Sequence, residues 1–200
     1  ANFALLPSND VIYEGPETAT LSLSNPVSGT LGSQATATFT LTDDEAQPTV
    51  QWNTASASVG ESAGSVTLTA TLNRASVFPV TVTFSTTHGT AGAADYTPAS
   101  TALVFPAGAT LTTTTVAITT DTLDELAETF TATLSAPINA SLGAIPNQTV
   151  SITDDDDQPT VSLSVATLTV GEAVGTVTLT ATLSAASGLA VTKYSPTTLT

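Results

Sequence analysis

The chain of 200 residues has no cysteine and no methionine, and its only bases are Arg74 and Lys193. Without cysteine there is no disulfide framework, no thiolate chemistry and no zinc–cysteine site. With no methionine, the chain is expected to be a mature piece or an excised fragment. No apolar run reaches the roughly 18 residues of a membrane-span candidate, so no membrane insertion is expected within this segment. The first twenty residues lack the basic start and apolar centre of a signal peptide, so any targeting signal is expected outside the chain. With so few bases against 17 acids, the net charge is −15. Such a field repels nucleic acid and anionic lipid, and attracts cations.

Hydrophobic residues make up 41% of the chain, enough to build a core. Thr is very abundant, with Val, Ala, Ser and Leu behind it, which favours strands over helices. The surface takes its polarity almost wholly from Thr and Ser, so the acids are not there merely for solubility.

The chain repeats itself. TLTDDEAQPTV at 40–50 returns as SITDDDDQPTV at 151–161, an offset of 111 residues. The same offset carries Glu14, Glu17 and Thr18 onto Glu125, Glu128 and Thr129, and Gly60, Glu61 and Gly64 onto Gly171, Glu172 and Gly175. A gap-free match over such distances indicates tandem units. Residues 47–157 form one complete unit. Residues 1–46 match the C-terminal part of a unit, and residues 158–192 match the N-terminal part of a further one, assigned to 158–200. After Thr192 the match fails at KYSPTTLT.

Within the complete unit the hydrophobic pattern has period two. TVQWN (49–53), SVTLTATL (65–72), VTVTFS (80–85), TALVF (101–105), TTTTVAITT (112–120), TFTATLS (129–135) and QTVSIT (148–153) read as seven strands, punctuated by Gly, Pro and Asn. That pattern predicts an all-β fold: seven-stranded antiparallel immunoglobulin-like sandwiches in tandem.

The acids fall in four places. These are the turn after the first strand (Glu61, Glu172), the loop after the third (Asp95), the loop after the fifth (Asp121, Asp124, Glu125, Glu128, with Asp10, Glu14 and Glu17 one repeat earlier), and the end of the seventh (Asp154 to Asp157, with Asp43, Asp44 and Glu45 earlier). None is expected on a strand's solvent face. An acid run is ordinarily a solvated linker. Strand parity argues otherwise here: in an up-and-down sandwich all four places lie at one end, and Arg74 lies at the other. Acids that only solubilised the surface would be spread over both ends. Carboxylates converging from four loops need a counter-charge, and with almost no Lys or Arg the candidate is a metal. Calcium takes about 6–8 oxygen ligands in flexible geometry, whereas zinc prefers His or Cys. The carboxylates outnumber the needs of one ion, so more than one calcium is expected per complete unit.

Other readings are weaker. Glu125 and Glu128 have a glycosidase-like pairing of acids, but aromatic residues make up only 5% and nothing nearby resembles a sugar platform. The chain reads as no enzyme. His88 has no second His or Cys and reads as a turn residue. Trp52 reads as core or as a contact at a unit junction. The sequons NAS (139–141) and NQT (147–149) matter only in a eukaryotic secretory setting.

SVGESAGSVTLTATL, the HGTAGAADYTP loop, LVFPAGAT, ITTDTLDELAETF and TVSITDDDD together resemble the Calx-beta repeat family. The resemblance covers the whole complete unit and most of the two partial ones. It implies a seven-stranded sandwich, found in the cytosolic calcium-sensing pair of sodium–calcium exchangers and in tandem modules of matrix, adhesion and bacterial surface proteins. Carried across residue by residue, it implies calcium ligands at Glu61, Asp95, Asp121, Glu125, Glu128, Asp154, Asp155 and Asp156. Thr120 and Thr122 flank Asp121 where the family often has consecutive aspartates. Asp124 is acidic where the exchanger pattern is not, and joins the candidate set.

The expectation is therefore a non-enzymatic, calcium-binding tandem segment of a larger surface or secreted protein, with calcium at unit junctions stiffening the array for adhesion or a stalk. Its partners would be calcium ions, adjacent repeats and a further protein or cell-surface ligand. Two alternatives stand beside it: a cytosolic calcium-sensor module of a transporter such as a sodium–calcium exchanger, and an accessory module of an extracellular enzyme.

Overall fold

A computed structural model describes residues 4–192; the tail after Thr192 lies outside the described residues. The chain opens with a hairpin of β1 (Glu17–Ser22) and β2 (Thr36–Leu41). A sandwich follows, built from β3 (Thr49–Trp52), β4 (Ser56–Gly60), β5 (Ser65–Leu72), β6 (Val80–His88), β7 (Ser100–Phe105), β8 (Leu111–Ala117), β9 (Glu128–Ile138), β10 (Ser141–Leu142) and β11 (Asn147–Thr153). A second two-stranded sheet, β12 (Val161–Leu163) with β13 (Ala181–Leu183), closes the described chain. Among the described residues no helix is long and apolar enough to cross a membrane.

The sandwich has one sheet in the order β10-β3-β5-β8 and one in the order β4-β11-β9-β6-β7. Its strands follow the alternation of the sequence. In β5, Val66, Leu68, Ala70 and Leu72 point inward, and the intervening Ser and Thr residues face outward or are only half-buried. Trp52 from one sheet meets Phe84 from the other edge-on at 5.6 Å. The Trp52 indole N–H donates across the core to the Ala132 carbonyl at 3.1 Å, so the one Trp is core. Phe105, Phe130, Leu134 and Val150 complete the same fully buried layer. Each such side chain contributes about 1.5–3 kcal/mol by leaving water.

The structure adds detail that the alternation did not reveal. The first strand is split. After Trp52 the chain crosses at Asn53–Ala55, and β4 joins the other sheet parallel to β11, with Thr149 opposite Ser56. The small, weakly alternating SASVG carries almost no signal of its own and is held by β11. A second short parallel pair sets β10 beside β3. The sheets are thus not a simple up-and-down series. Even so, successive long strands still reverse, so the ends of β4, β6, β8 and β11 share one end of the sandwich. Two acids expected in loops, Glu17 and Glu128, in fact open β1 and β9. His88 is not in a turn: it is the last residue of β6 and sets its ring edge-on to Tyr96 at 5.3 Å.

The flanking pairs copy the central pairing. Val161 opposes Leu183 as Val50 opposes Leu72, and Glu17 opposes Leu41 as Glu128 opposes Ile152. Backbone irregularities also recur at the 111-residue offset. Asn25 and Ala136 have φ of 49° and 47°, and Ser28 and Asn139 have φ of 57° and 61°.

Candidate metal centre

Four chain segments deliver carboxylates to one end of the central sandwich. Glu61 follows β4 on a single 3-10 turn, Glu61–Ala63, and is buried. Its Oε1 accepts the Asp121 backbone N–H at 2.6 Å, which ties the start of the sandwich to the loop after β8. Asp121 in turn accepts the N–H of Leu123 through Oδ1 at 2.7 Å, fixing the loop's first bend. Asp95 accepts the N–H of Gly92 through Oδ2 at 2.6 Å, and its carbonyl accepts the N–H of Thr119 at 2.9 Å. The loop after β6 is therefore pinned to the loop after β8. Gly89 lets this loop lie on the start of β9, because any Cβ there would collide with the Thr129 carbonyl. The Thr129 N–H donates to the Thr90 hydroxyl at 2.8 Å.

The carboxylates converge in two groups. Oxygens of Glu61, Asp121 and Asp156 lie within 4.8 Å of one another, and so do oxygens of Asp95, Glu125 and Glu128. A cleft lined by Glu61, Asp95, Glu125, Glu128 and Asp154, with Leu126 and Ile152 as its apolar wall, joins the two. Seven of the nine candidate residues thus meet at one place. Asp124 and Asp155 fall in neither group. Asp124 turns instead toward the following segment, where its Oδ2 accepts the Ser187 hydroxyl at 3.3 Å. No acid of this end escaped the sequence reading. What it did not identify were the residues that hold the acids in place: Thr90, Gly92 and Thr119 use backbone or hydroxyl groups that leave no compositional trace.

The groups pay an electrostatic penalty in the absence of a cation. Burial pushes the Glu61 carboxyl up, and the neighbouring Asp121, Asp156 and Asp154 add to that against the hydrogen bond from the Asp121 N–H. Glu125 is pushed up by burial, then by Asp121, Asp95, Glu61 and Asp154. Glu128 is pushed up to about 7, first by burial, then by its hydrogen bond with Asp95 and by the charges of Asp95 and Glu125. Asp156 is raised by desolvation and by Asp154, Asp155, Asp121 and Asp157. Every one of these shifts resists the charged form, and no base stands among the residues lining the cleft.

One atom speaks directly to what the site needs. Oδ1 of Asp154 is buried and has no hydrogen-bond partner. Its counterpart one repeat earlier is Asp43, whose Oδ2 accepts the N–H groups of Glu14 and Gly15 at 2.9 and 2.8 Å. Those bonds, led by the one from Gly15, hold the Asp43 carboxyl below its usual range. Asp43, Asp44 and Glu45 also cluster, but there the backbone already satisfies the aspartate. In the central sandwich Oδ1 of the equivalent aspartate is left without such a partner. Ligands on one calcium at about 2.4 Å lie at most about 4.8 Å apart, and the oxygens of each group lie within that limit. The donor set is all carboxylate oxygen, with neither His nor Cys. The residues present fit a hard divalent cation.

Among curated proteins none matches this chain. Among solved structures, the apo form of the Calx CBD1 domain aligns with a TM-score of 0.53 at 22% identity, over 56% of this chain and 100% of that one. CBD12 from CALX1.2 aligns with a TM-score of 0.51 at 24% identity, over 54% of this chain and 45% of that one. The calcium binding domain CBD12 of CALX1.1 aligns with a TM-score of 0.53 at 23% identity, over 63% and 54%. The chain therefore spans the whole of the first structure but only about half the length of the other two, and these likenesses establish the sandwich fold. The Calx-beta domain model matches residues 43–156 and again 154–196. The chain belongs to the Calx-beta family.

Proposed function

We propose that the acid-bearing end of the central sandwich binds calcium, with Glu61, Asp121 and Asp156 serving one ion and Asp95, Glu125 and Glu128 a second. Asp154, with its unpartnered oxygen, stands between them. That orphaned oxygen amid two carboxylate triads carries the reading. A solvated acidic surface has no reason to bury it. Calcium supplies the missing positive charge. The protein's part is to present oxygens from four segments already pinned together: Glu61 to the Asp121 amide, and Asp95 to Gly92 and Thr119. The similarity to a calcium binding domain, CBD12 of CALX1.1, supports the same choice of ion. Asp124 and Asp155 act through local charge rather than as ligands.

The module is non-catalytic in this reading. It is one of a series of units, 1–46, 47–157 and 158–200, in a larger surface or secreted protein, and calcium stiffens the series. The Thr-rich, Cys-free composition supports the extracellular placing. The regulatory-sensor reading draws its support from the likeness to the two-domain CBD12 structures.

The test is a pair of thermal melts of the full chain. A ligand bound only by the folded state adds about 2.7 kcal/mol at a hundredfold excess over its dissociation constant. In millimolar calcium the central transition should rise by several degrees over that in chelator, and magnesium should do much less. Coincident melts in calcium and chelator would end the calcium reading.

A further inference from the structure

The two ends of the chain carry opposite halves of one kind of sandwich. Residues 1–46 are the counterpart of 112–157, and residues 158–192 that of 47–81. In the central unit these halves meet across the core: β3 and β5 come from one, β9 and β11 from the other. The Trp52 backbone N–H donates to the Ile145 carbonyl at 2.9 Å, and its indole to the Ala132 carbonyl. At the chain ends each half has the same inner face without its partner. On the hairpin β1–β2, Leu21, Leu23, Ala35 and Ala37 line an apolar groove of about 270 Å³. On the other half Leu163, Val177 and Leu179 are exposed, where their counterparts Trp52, Val66 and Leu68 are buried.

The two open faces fit each other. Where the central unit sets the large Trp52 against the small Ala132, the ends offer two residues of intermediate size, Leu163 and Leu21. Where the central unit has a polar pair, with the Gln148 amide donating to the Thr54 hydroxyl at 2.8 Å, the ends offer Ala37 and Val165, both apolar. A change on one face is thus matched by a change on the other, although the two belong to different units. Within one molecule the faces are kept apart. The Tyr13 N–H donates to the Ala75 carbonyl at 3.1 Å, in the loop after β5, and the Gly188 N–H donates to the Asp124 carbonyl at 3.2 Å, in the loop after β8. The halves are thereby fastened at opposite ends of the central sandwich. Its eight-residue strand β5 spans about 27 Å at about 3.4 Å per residue.

We propose that residues 158–192 of one copy dock face to face on residues 1–46 of a second copy, pairing the Leu163–Leu179 face with the Leu21–Leu23 groove, so that copies join head to tail. Such a contact is heterologous and does not close on itself, so it builds an open series. Each half exceeds the roughly 20–30 residues a side of a standard interface. The composite has no counterpart of β7 or of most of β6, which makes it a smaller sandwich than the central one. Charge opposes it only weakly at the contact, because residues 158–192 carry a single acid, Glu172, and about 0.15 M salt screens charges beyond about 8 Å. Nothing in this contact depends on the calcium reading.

The experiment uses the full chain in chelator and physiological salt, followed by sedimentation velocity and light scattering from micromolar to millimolar concentration. The average mass should rise with concentration and pass that of a dimer without a plateau. Leu23→Asp spoils one face and Leu179→Asp the other. Each variant alone should stay monomeric where the wild type grows, with an association constant lower by at least about a hundredfold, because a carboxylate would enter an apolar contact without a partner. Mixed in equal amounts, the two variants should form a complex of two chains and no more, since each still has the face that the other lacks. Val104→Asp, at an exposed apolar residue of the central sandwich, should grow as the wild type does. The central melt of Leu23→Asp and Leu179→Asp should match the wild type, which shows that the middle unit is intact. A wild type that stays monomeric throughout overturns the proposal. So does growth of Leu179→Asp alone, which would mean that like halves pair, and so does a mixture of the two variants that forms no complex.

Discussion

SVTLTATL at 65–72 and TVTLTATL at 176–183 differ only in their first residue, yet they behave differently. In the central sandwich the segment is an unbroken eight-residue strand, with Leu68 1% exposed and Ala70 fully buried. In the segment after the central sandwich only Ala181–Leu183 is strand, and Leu179, the counterpart of Leu68, is 53% exposed. The pairing register is nevertheless the same in both. The difference teaches that register is written locally, whereas strand length and burial come from the facing sheet. The first hairpin makes the same point. In β9, Ala132 and Leu134 are buried; their counterparts Leu21 and Leu23 in the 17–24 segment are 42% and 55% exposed. Propensity and alternation propose a strand, and packing across the core completes it.

The comparison is broken most easily by paired substitutions. Leu68→Ala should cost about 2–5 kcal/mol through lost burial and a cavity. Leu179→Ala, the same change at the same repeat position, should fall within about 0.5 kcal/mol, as surface substitutions do. Chemical denaturation of the central transition checks both. Equal losses would show that the last segment has a core of its own. Hydrogen exchange should agree, with strong protection in β5 and weak protection across 176–183.

This contrast also explains how much could be read from the sequence. The seven alternating segments named the sandwich and placed every long strand to within a few residues. The split of the first strand was not legible, because SASVG has small side chains and depends on β11 for its place. Nor was β10, two residues beside β3. The convergence of the acids was legible because parity placed them at one end. Their division into two triads was not, since it depends on the bends fixed by Asp121 and Asp95. Asp155 entered the candidate set through the family resemblance, and Asp124 through its charge. The structure turns Asp124 toward Ser187 and leaves Asp155 outside both triads.

The two repeats of the acidic end sharpen the comparison further. Asp154→Asn should reduce calcium affinity strongly, because it removes charge from an oxygen that has no other partner. Asp43→Asn, one repeat earlier, should leave the affinity of the central site unchanged, because that carboxylate is engaged by the Glu14 and Gly15 amides. Calcium titration of each variant decides this, and equal effects would put a site in both units.

Protonation gives a subtler test. Glu61, Glu125 and Glu128 are all raised above the ordinary glutamate value, Glu128 to about 7. In chelator the folded chain therefore holds more protons than the unfolded chain between the ordinary value and about 7. The stability these groups contribute is complete below the unfolded pKa and is lost as pH rises through the folded one. Melts in chelator should show the central sandwich losing stability from pH 5 to pH 7.5. Saturating calcium should remove that loss, because the charged forms then have a partner.

The smallest effect is expected at Asp155→Asn, which should weaken calcium binding less than Asp156→Asn. The two residues are adjacent in one acidic run, yet only Asp156 lies in a triad. A larger effect at Asp155 would mean that the loop rearranges around the ion.

The central claim, that converging carboxylates at one end of the middle sandwich hold calcium, is tested most directly by isothermal titration of the full chain and its Glu125→Gln variant. The account predicts saturable binding of more than one calcium per chain, little response to magnesium, and loss of at least one binding event in Glu125→Gln. A titration without saturable heat, or one that is identical in the variant, would contradict it.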